Sequence, residues 1–147
     1  MATLGRSLAR RRFVWIGTGE NRKTPIAVDD VARACLTLAL DREAIGVFNV
    51  AGRPTKVREI VSTYCSALRV PVPSWRVPSS AARAGMRLVA PAALVVPGLA
   101  SGRAALDAWL STDVYDASRY AARYGHPAHT SWEDSLRPEA DWIRNHG

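Results

Sequence analysis

Residues 13–33 read FVWIGTGENRKTPIAVDDVAR. The first four are apolar and make a short strand. Gly17 and Gly19 then allow positive φ in a loop that ends with two cations, Arg22 and Lys23. Residues 24–28 form a second extended piece. Asp29 or Asp30 caps a helix to about Leu40, with Val31, Cys35 and Leu38 as its inward stripe. A glycine loop with adjacent cations is either an anion site built from backbone N–H groups or a plain turn with solvated charges.

The rest of the chain continues strand, then helix. GVFNVAG at 46–52 reads as a buried strand between glycines. Thr55 opens the clearest amphipathic helix, with Val57, Ile60, Val61, Tyr64, Cys65 and Leu68 at i, i+3, i+4, i+7, i+8 and i+11. Residues 69–78 are broken by proline around Trp75 and Val77. Ser79 or Ser80 caps a helix to about Val89, an apolar connector covers 91–98, and Ser101 starts a helix to Leu110. A short helix at 116–125 stops at Gly125, and TSWED at 130–134 is a capping box. The closing helix turns Leu136, Ala140 and Ile143 inward. Residues 1–12 read as a basic helix remnant with Leu4 and Leu8 at i, i+4, solvated and frayed, and 13–147 as the folded unit. Strands alternate with helices only in the first half. A chain of 147 residues with so few short strands cannot complete a doubly wound sheet, so the fold class is α/β with an incomplete Rossmann portion and a mostly helical second half.

Composition bounds the function classes. Hydrophobic residues are 48% and charged residues 22%, ordinary for one globular domain. The net charge is +7, with six cations and one anion in residues 1–23. Such a patch can attract nucleic acid or an anionic membrane. Only Phe13 and Trp15 adjoin the arginines, which is no stacking platform, so no nucleic-acid partner is expected. Cys35 and Cys65 fall on apolar helix faces and read as buried free thiols. No secretory signal is visible, and the apolar run at 86–100 is interrupted by Pro91 and Pro97 and too short to span about 30 Å of hydrocarbon. The expectation is a cytoplasmic protein without a membrane span.

Five segments in order form a set: IGTGENRKTPIAVDDVAR, GVFNVAG, the helix 55–68, DASR through YGHP at 116–127, and SWEDSL with Asp141-Trp142. Together they resemble the later portion of the extended short-chain dehydrogenase/reductases, the NAD-dependent epimerase/dehydratase family. The resemblance implies the substrate-binding lobe of an oxidoreductase acting on a hydroxyl or carbonyl substrate, either a nucleotide sugar or a sterol-like molecule. It implies Arg22 or Lys23 as substrate anion contacts beside Asn21. Trp75, Arg76 and Arg103 are further pocket candidates, and Trp109 could line the same pocket. It implies NAD or NADP in a complete family enzyme and none on this chain alone. The stretch NRKTP departs from the arginine-aspartate-aromatic pattern of sugar-nucleotide members, and the stretch after Trp75, with its apolar run to Gly98, is more similar to members acting on sterol-like substrates.

The catalytic parts are missing from the sequence. Gly17-Thr-Gly19 does not continue into a G-x-x-G-x-x-G turn, and it precedes a strand. Residues 19 and 52, four before each lysine, are glycines, so there is no Tyr-x-x-x-Lys pair. Tyr115 has Arg119 four residues on, but arginine stays charged and relays no proton. His126 and His129 read as turn residues rather than metal ligands. Whether the chain is an enzyme is left open. The expected partners are a small-molecule substrate and either a separately encoded nucleotide-binding half or a second copy. The alternative is a non-catalytic binding or scaffold module that keeps the lobe. A third class, a small basic nucleic-acid binder, predicts steeply salt-dependent binding.

Overall fold

The computed structural model describes residues 2–88 and 97–146, a mixed α/β arrangement that is mostly helical. In order the described elements are α1 Ala2–Ala9, β1 Trp15–Ile16, β2 Arg22–Lys23, α2 Val28–Leu40, β3 Thr55–Lys56, α3 Val57–Leu68, β4 Arg76–Val77, α4 Ser79–Leu88, α5 Pro97–Leu110, α6 Ser118–Tyr124 and α7 Trp132–His146. The strands form two small pairs. β1 and β4 run parallel, with Trp15 opposite Arg76. β2 and β3 run antiparallel, with Arg22 opposite Lys56.

The core is built on α3. All six positions of its apolar stripe are buried, from Val57 to Leu68. Five of them, all but Ile60, cluster with Leu136, Ala140 and Ile143 of α7 and with Leu8 of α1. Each such aliphatic side chain contributes roughly 1.5–3 kcal/mol on burial. α1 is therefore packed rather than frayed. Leu8 is 2% exposed, and Leu4 packs on the same cluster. Gly5 sets the approach of α1, because a Cβ there would stand 2.5 Å from Ile143 Cδ1 and 2.9 Å from Tyr64 Cε1. The helix ends at Arg11, in the left-handed region at φ 55°, where Arg12 N–H donates to Ser7 O at 2.9 Å. Burial, followed by the nearby Glu139 carboxylate, raises the pKa of the Tyr64 phenol, whose hydroxyl has no hydrogen-bond partner.

Several expectations are corrected. Cys65 is buried, but Cys35 is exposed. The inward arc of α2 is set by Asp30 and Ala34, and Cys35 lies one residue, about 100°, beyond it. The outer arc is open, with Val28 83%, Leu36 65% and Leu40 82% exposed around Asp29. Neither Asp29 nor Asp30 caps α2. Ala27 holds the cap position without a side-chain bond, and Asp30 points inward. Residues 46–52 are not a strand, and Ile45 and Val47 are 79% and 80% exposed. No strand of this chain lies alongside them among the described residues, so side chains replace the ladder. Arg119 donates to Ile45 O at 2.8 Å and Val47 O at 3.1 Å, and Asn49 donates to Asp116 O at 3.1 Å. Thr55 belongs to β3, and the helix opens at Val57. α5 starts at Pro97, four residues before Ser101. The connector expected over 91–98 lies outside the described residues apart from its last two. The capping box holds: Ser131 Oγ accepts from Asp134 N–H at 3.0 Å and α7 follows.

Candidate substrate cleft

The loop after β1 turns where the glycines require it, at φ 78° for Gly17 and 72° for Gly19. The partners of its peptide groups lie within the chain. Gly17 N–H donates to Val77 O at 2.9 Å. Gly19 O and Asn21 O accept from the N–H groups of Arg58 and Val57 at 3.0 and 2.9 Å, satisfying the first free donors of α3. The loop also brings its own anion. Glu20 pairs with Lys56 at 2.8 Å and with Arg58. The Lys56 hydrogen bond, and then the Arg58 charge, hold its carboxyl below the usual range. The glycine loop thus caps α3.

Asn21 and Lys23 tie this loop to the end of α5. Asn21 Nδ2 donates to Trp109 O at 2.8 Å and Ser111 O at 2.9 Å. Lys23 Nζ donates to Ala108 O at 2.7 Å and Ser111 Oγ at 3.0 Å, and it forms an ion pair with Asp113. The Asp113 carboxyl is held low by Lys23 first and by Ser111 second. These bonds satisfy carbonyls that α5 leaves open at its C-terminal end. Lys23 is therefore an internal clamp, and its charge is already matched. Arg22, exposed on β2, has no ion-pair partner among the described residues.

Beside this clamp lies a cleft of about 370 Å³. Leu4, Val57, Ile60 and Trp109 give it apolar walls, and Lys23, Asp113 and Tyr115 stand at its polar side. Phe13 and Trp15 support Trp109 from behind, with ring centroids 5.7 and 6.5 Å away. Such a volume suits a small ligand with one polar end. Sequence reasoning missed Asp113 and Leu4. Their signal is tertiary, since Asp113 meets Lys23 across ninety residues.

The remaining sequence candidates do not converge there. Trp75 is 79% exposed and lines a different cleft of about 460 Å³ with Arg11, Arg12 and Val14. Arg76 is exposed on β4 next to it. Arg103 lies in α5, and its side chain is outside the described residues. Arg119 is turned to the 45–47 carbonyls and over Phe48 at 4.6 Å, so it makes no pair with Tyr115. His126 Nδ1 accepts from Ala128 N–H at 3.1 Å. Among the described residues no cluster of His, Cys, Asp or Glu could hold a metal ion, and no helix is long and apolar enough to cross a membrane.

The segments singled out in the sequence are joined by long-range polar contacts. Asp30, fully buried, accepts on Oδ2 from His129 N–H at 3.0 Å and Thr130 N–H at 2.9 Å, and on Oδ1 from the Thr130 hydroxyl at 3.1 Å. Burial alone would raise its pKa. The donors from Thr130 and His129 outweigh burial and hold it low. Tyr124 donates to Asp41 at 2.6 Å, which lowers that carboxyl in turn. Compared with protein-family models, with curated proteins and with solved structures, the chain matches none.

Proposed function

We propose that this chain is the substrate-binding lobe of an NAD(P)-dependent epimerase/dehydratase-type oxidoreductase, with the last elements of an incomplete Rossmann fold, and that it carries out no redox chemistry alone. The observation that supports this reading is the place of the long-range polar contacts. Asp30, Asn49, Arg119 and Tyr124, on which the family resemblance rests, are the residues that tie distant segments together. They serve architecture, as motif residues of a lobe do, and none of them faces the cleft. The open arc of α2 and the exposed Ile45 and Val47 are the surface that a nucleotide-binding half, with its NAD or NADP and its Tyr-x-x-x-Lys pair, covers in a complete enzyme.

The cleft favours a sterol-like carbonyl or alcohol over a nucleotide sugar. Its walls are apolar, its cation Lys23 is already matched by Asp113, and Arg22 is not among its lining residues. The apolar body rests on Trp109, Val57 and Ile60, and its oxygen meets the Lys23–Asp113 pair.

Calorimetric titration of the chain with a steroid ketone, and separately with a UDP-sugar, tests this. The expected result is saturable binding of the ketone, weakened about ten-fold by Tyr115→Ala, weak or no binding of the nucleotide sugar, and no oxidation of NADH or NADPH by the chain with either. Binding of the nucleotide sugar alone would move the site to Arg22. Turnover by the chain alone would overturn the lobe reading. Ketone binding with no nucleotide-binding half encoded nearby would favour the non-catalytic module.

A further inference from the structure

The charges of this chain are segregated. All thirteen carboxylates lie in residues 20–59 and 107–147, while residues 1–19 and 60–106 hold nine arginines and no acid. The fold brings these two acid-free segments together. β1 pairs with β4, Trp15 Nε1 donates to Pro73 O at 2.8 Å, and Gly17 N–H donates to Val77 O. Residues 11–14 and 71–75 become the two walls of the cleft of about 460 Å³. Arg11 and Arg12 line it, Arg76 follows Trp75 on β4, and Arg10, Arg69 and Arg83 are exposed elsewhere on the same two acid-free segments. None of these six arginines has an ion-pair partner among the described residues. Between them stand exposed apolar side chains, with Val14 42%, Val72 51% and Trp75 79% accessible.

We infer that this face seats the protein on an anionic lipid bilayer surface. Arg11, Arg12 and Arg76, all unmatched, supply attraction to acidic headgroups. Trp75, Val14 and Val72 supply shallow apolar insertion at the headgroup boundary, where an indole is at home. The pattern fits lipid better than nucleic acid. One exposed tryptophan flanked by valine and proline offers no run of rings on which successive bases could stack. The face lies apart from the cleft beside Lys23, and the inference does not depend on which substrate that cleft takes.

The test is co-sedimentation of the full chain with vesicles of phosphatidylcholine alone and of phosphatidylcholine with phosphatidylglycerol. The expected result is binding to the anionic vesicles only, a blue shift of tryptophan emission, and release by raised salt. Arg12→Glu with Arg76→Glu should weaken binding about five-fold per arginine or more, and Trp75→Ser should remove most of the blue shift. Far-UV circular dichroism confirms that each variant is folded, and all three positions are exposed. Arg137→Glu, on the exposed side of α7, should leave binding unchanged. Equal binding to neutral vesicles, no binding to either, or equal loss with Arg137→Glu overturns the inference. So does tight binding to poly(U) without vesicle binding, which would assign the face to nucleic acid.

Discussion

Replacing Asp30 by alanine removes one acceptor group and strands three donors. Asp30 is 0% exposed, and its carboxylate holds the N–H groups of His129 and Thr130 and the Thr130 hydroxyl at 2.9 to 3.1 Å. Hydrogen bonds to a charged group contribute about 1.5–3 kcal/mol each. The hydroxyl can rotate to another acceptor and the buried charge is relieved, so the two N–H bonds set the scale, about 3–5 kcal/mol. That is a large part of the 5–15 kcal/mol by which a domain is usually stable. Urea unfolding followed by tryptophan emission measures it, with the shift in midpoint multiplied by the slope. The acid dependence has a defined sign. The folded pKa of Asp30 lies below the usual aspartate range. Its stabilisation is therefore fully present above that range and fades as pH falls through the folded pKa. The gap between wild type and Asp30→Asn should narrow on acidification below about pH 4. A loss under about 1 kcal/mol at neutral pH, or a gap that widens in acid, would refute the role given to this residue.

Other outcomes follow from the same coordinates. Tyr64→Phe removes a buried hydroxyl without a partner, so thermal unfolding should show no loss and a gain of up to about 1 kcal/mol; a drop would mean that the hydroxyl is bonded after all. Gly5→Val drives a side chain into Ile143 and Tyr64, and its melting curve should show a loss of about 1–3 kcal/mol. The open arc of α2 should make the isolated chain associate as its concentration rises, and sedimentation velocity of Leu36→Glu should show mostly monomer. A wild-type chain that stays monomeric with a sharp melt would count against an uncovered face. Cys35 should react with iodoacetamide in the folded protein while Cys65 stays protected, as mass spectrometry of the labelled peptides can show.

Local and periodic features were legible in the sequence. The stripe of α3, the Ser131 cap and the inward residues of α7 are set by spacing within one helix, and each stands where the pattern puts it. What failed depended on partners distant in sequence. Asp30 looked like a cap because acids before apolar runs usually are. Its acceptor is used instead on residues a hundred positions away. Residues 46–52 carry a strand pattern, but a strand needs a neighbour, and here Arg119 takes its carbonyls. For Lys23 the sequence shows only a loop cation, and nothing in it reveals the Asp113 beside it. The mostly helical α/β character was readable from element order. The division of the site candidates between two clefts was not, because it depends on β1 pairing with β4.

The central claim is that this chain supplies one lobe of a two-part oxidoreductase. The coding DNA immediately upstream of the Met1 codon, read in all three frames, tests it most directly. The account predicts a glycine-rich strand-turn-helix fingerprint and a Tyr-x-x-x-Lys pair within about 200 codons, one domain's length. An upstream region without either would contradict it, and the lobe would then stand as a binding module in its own right.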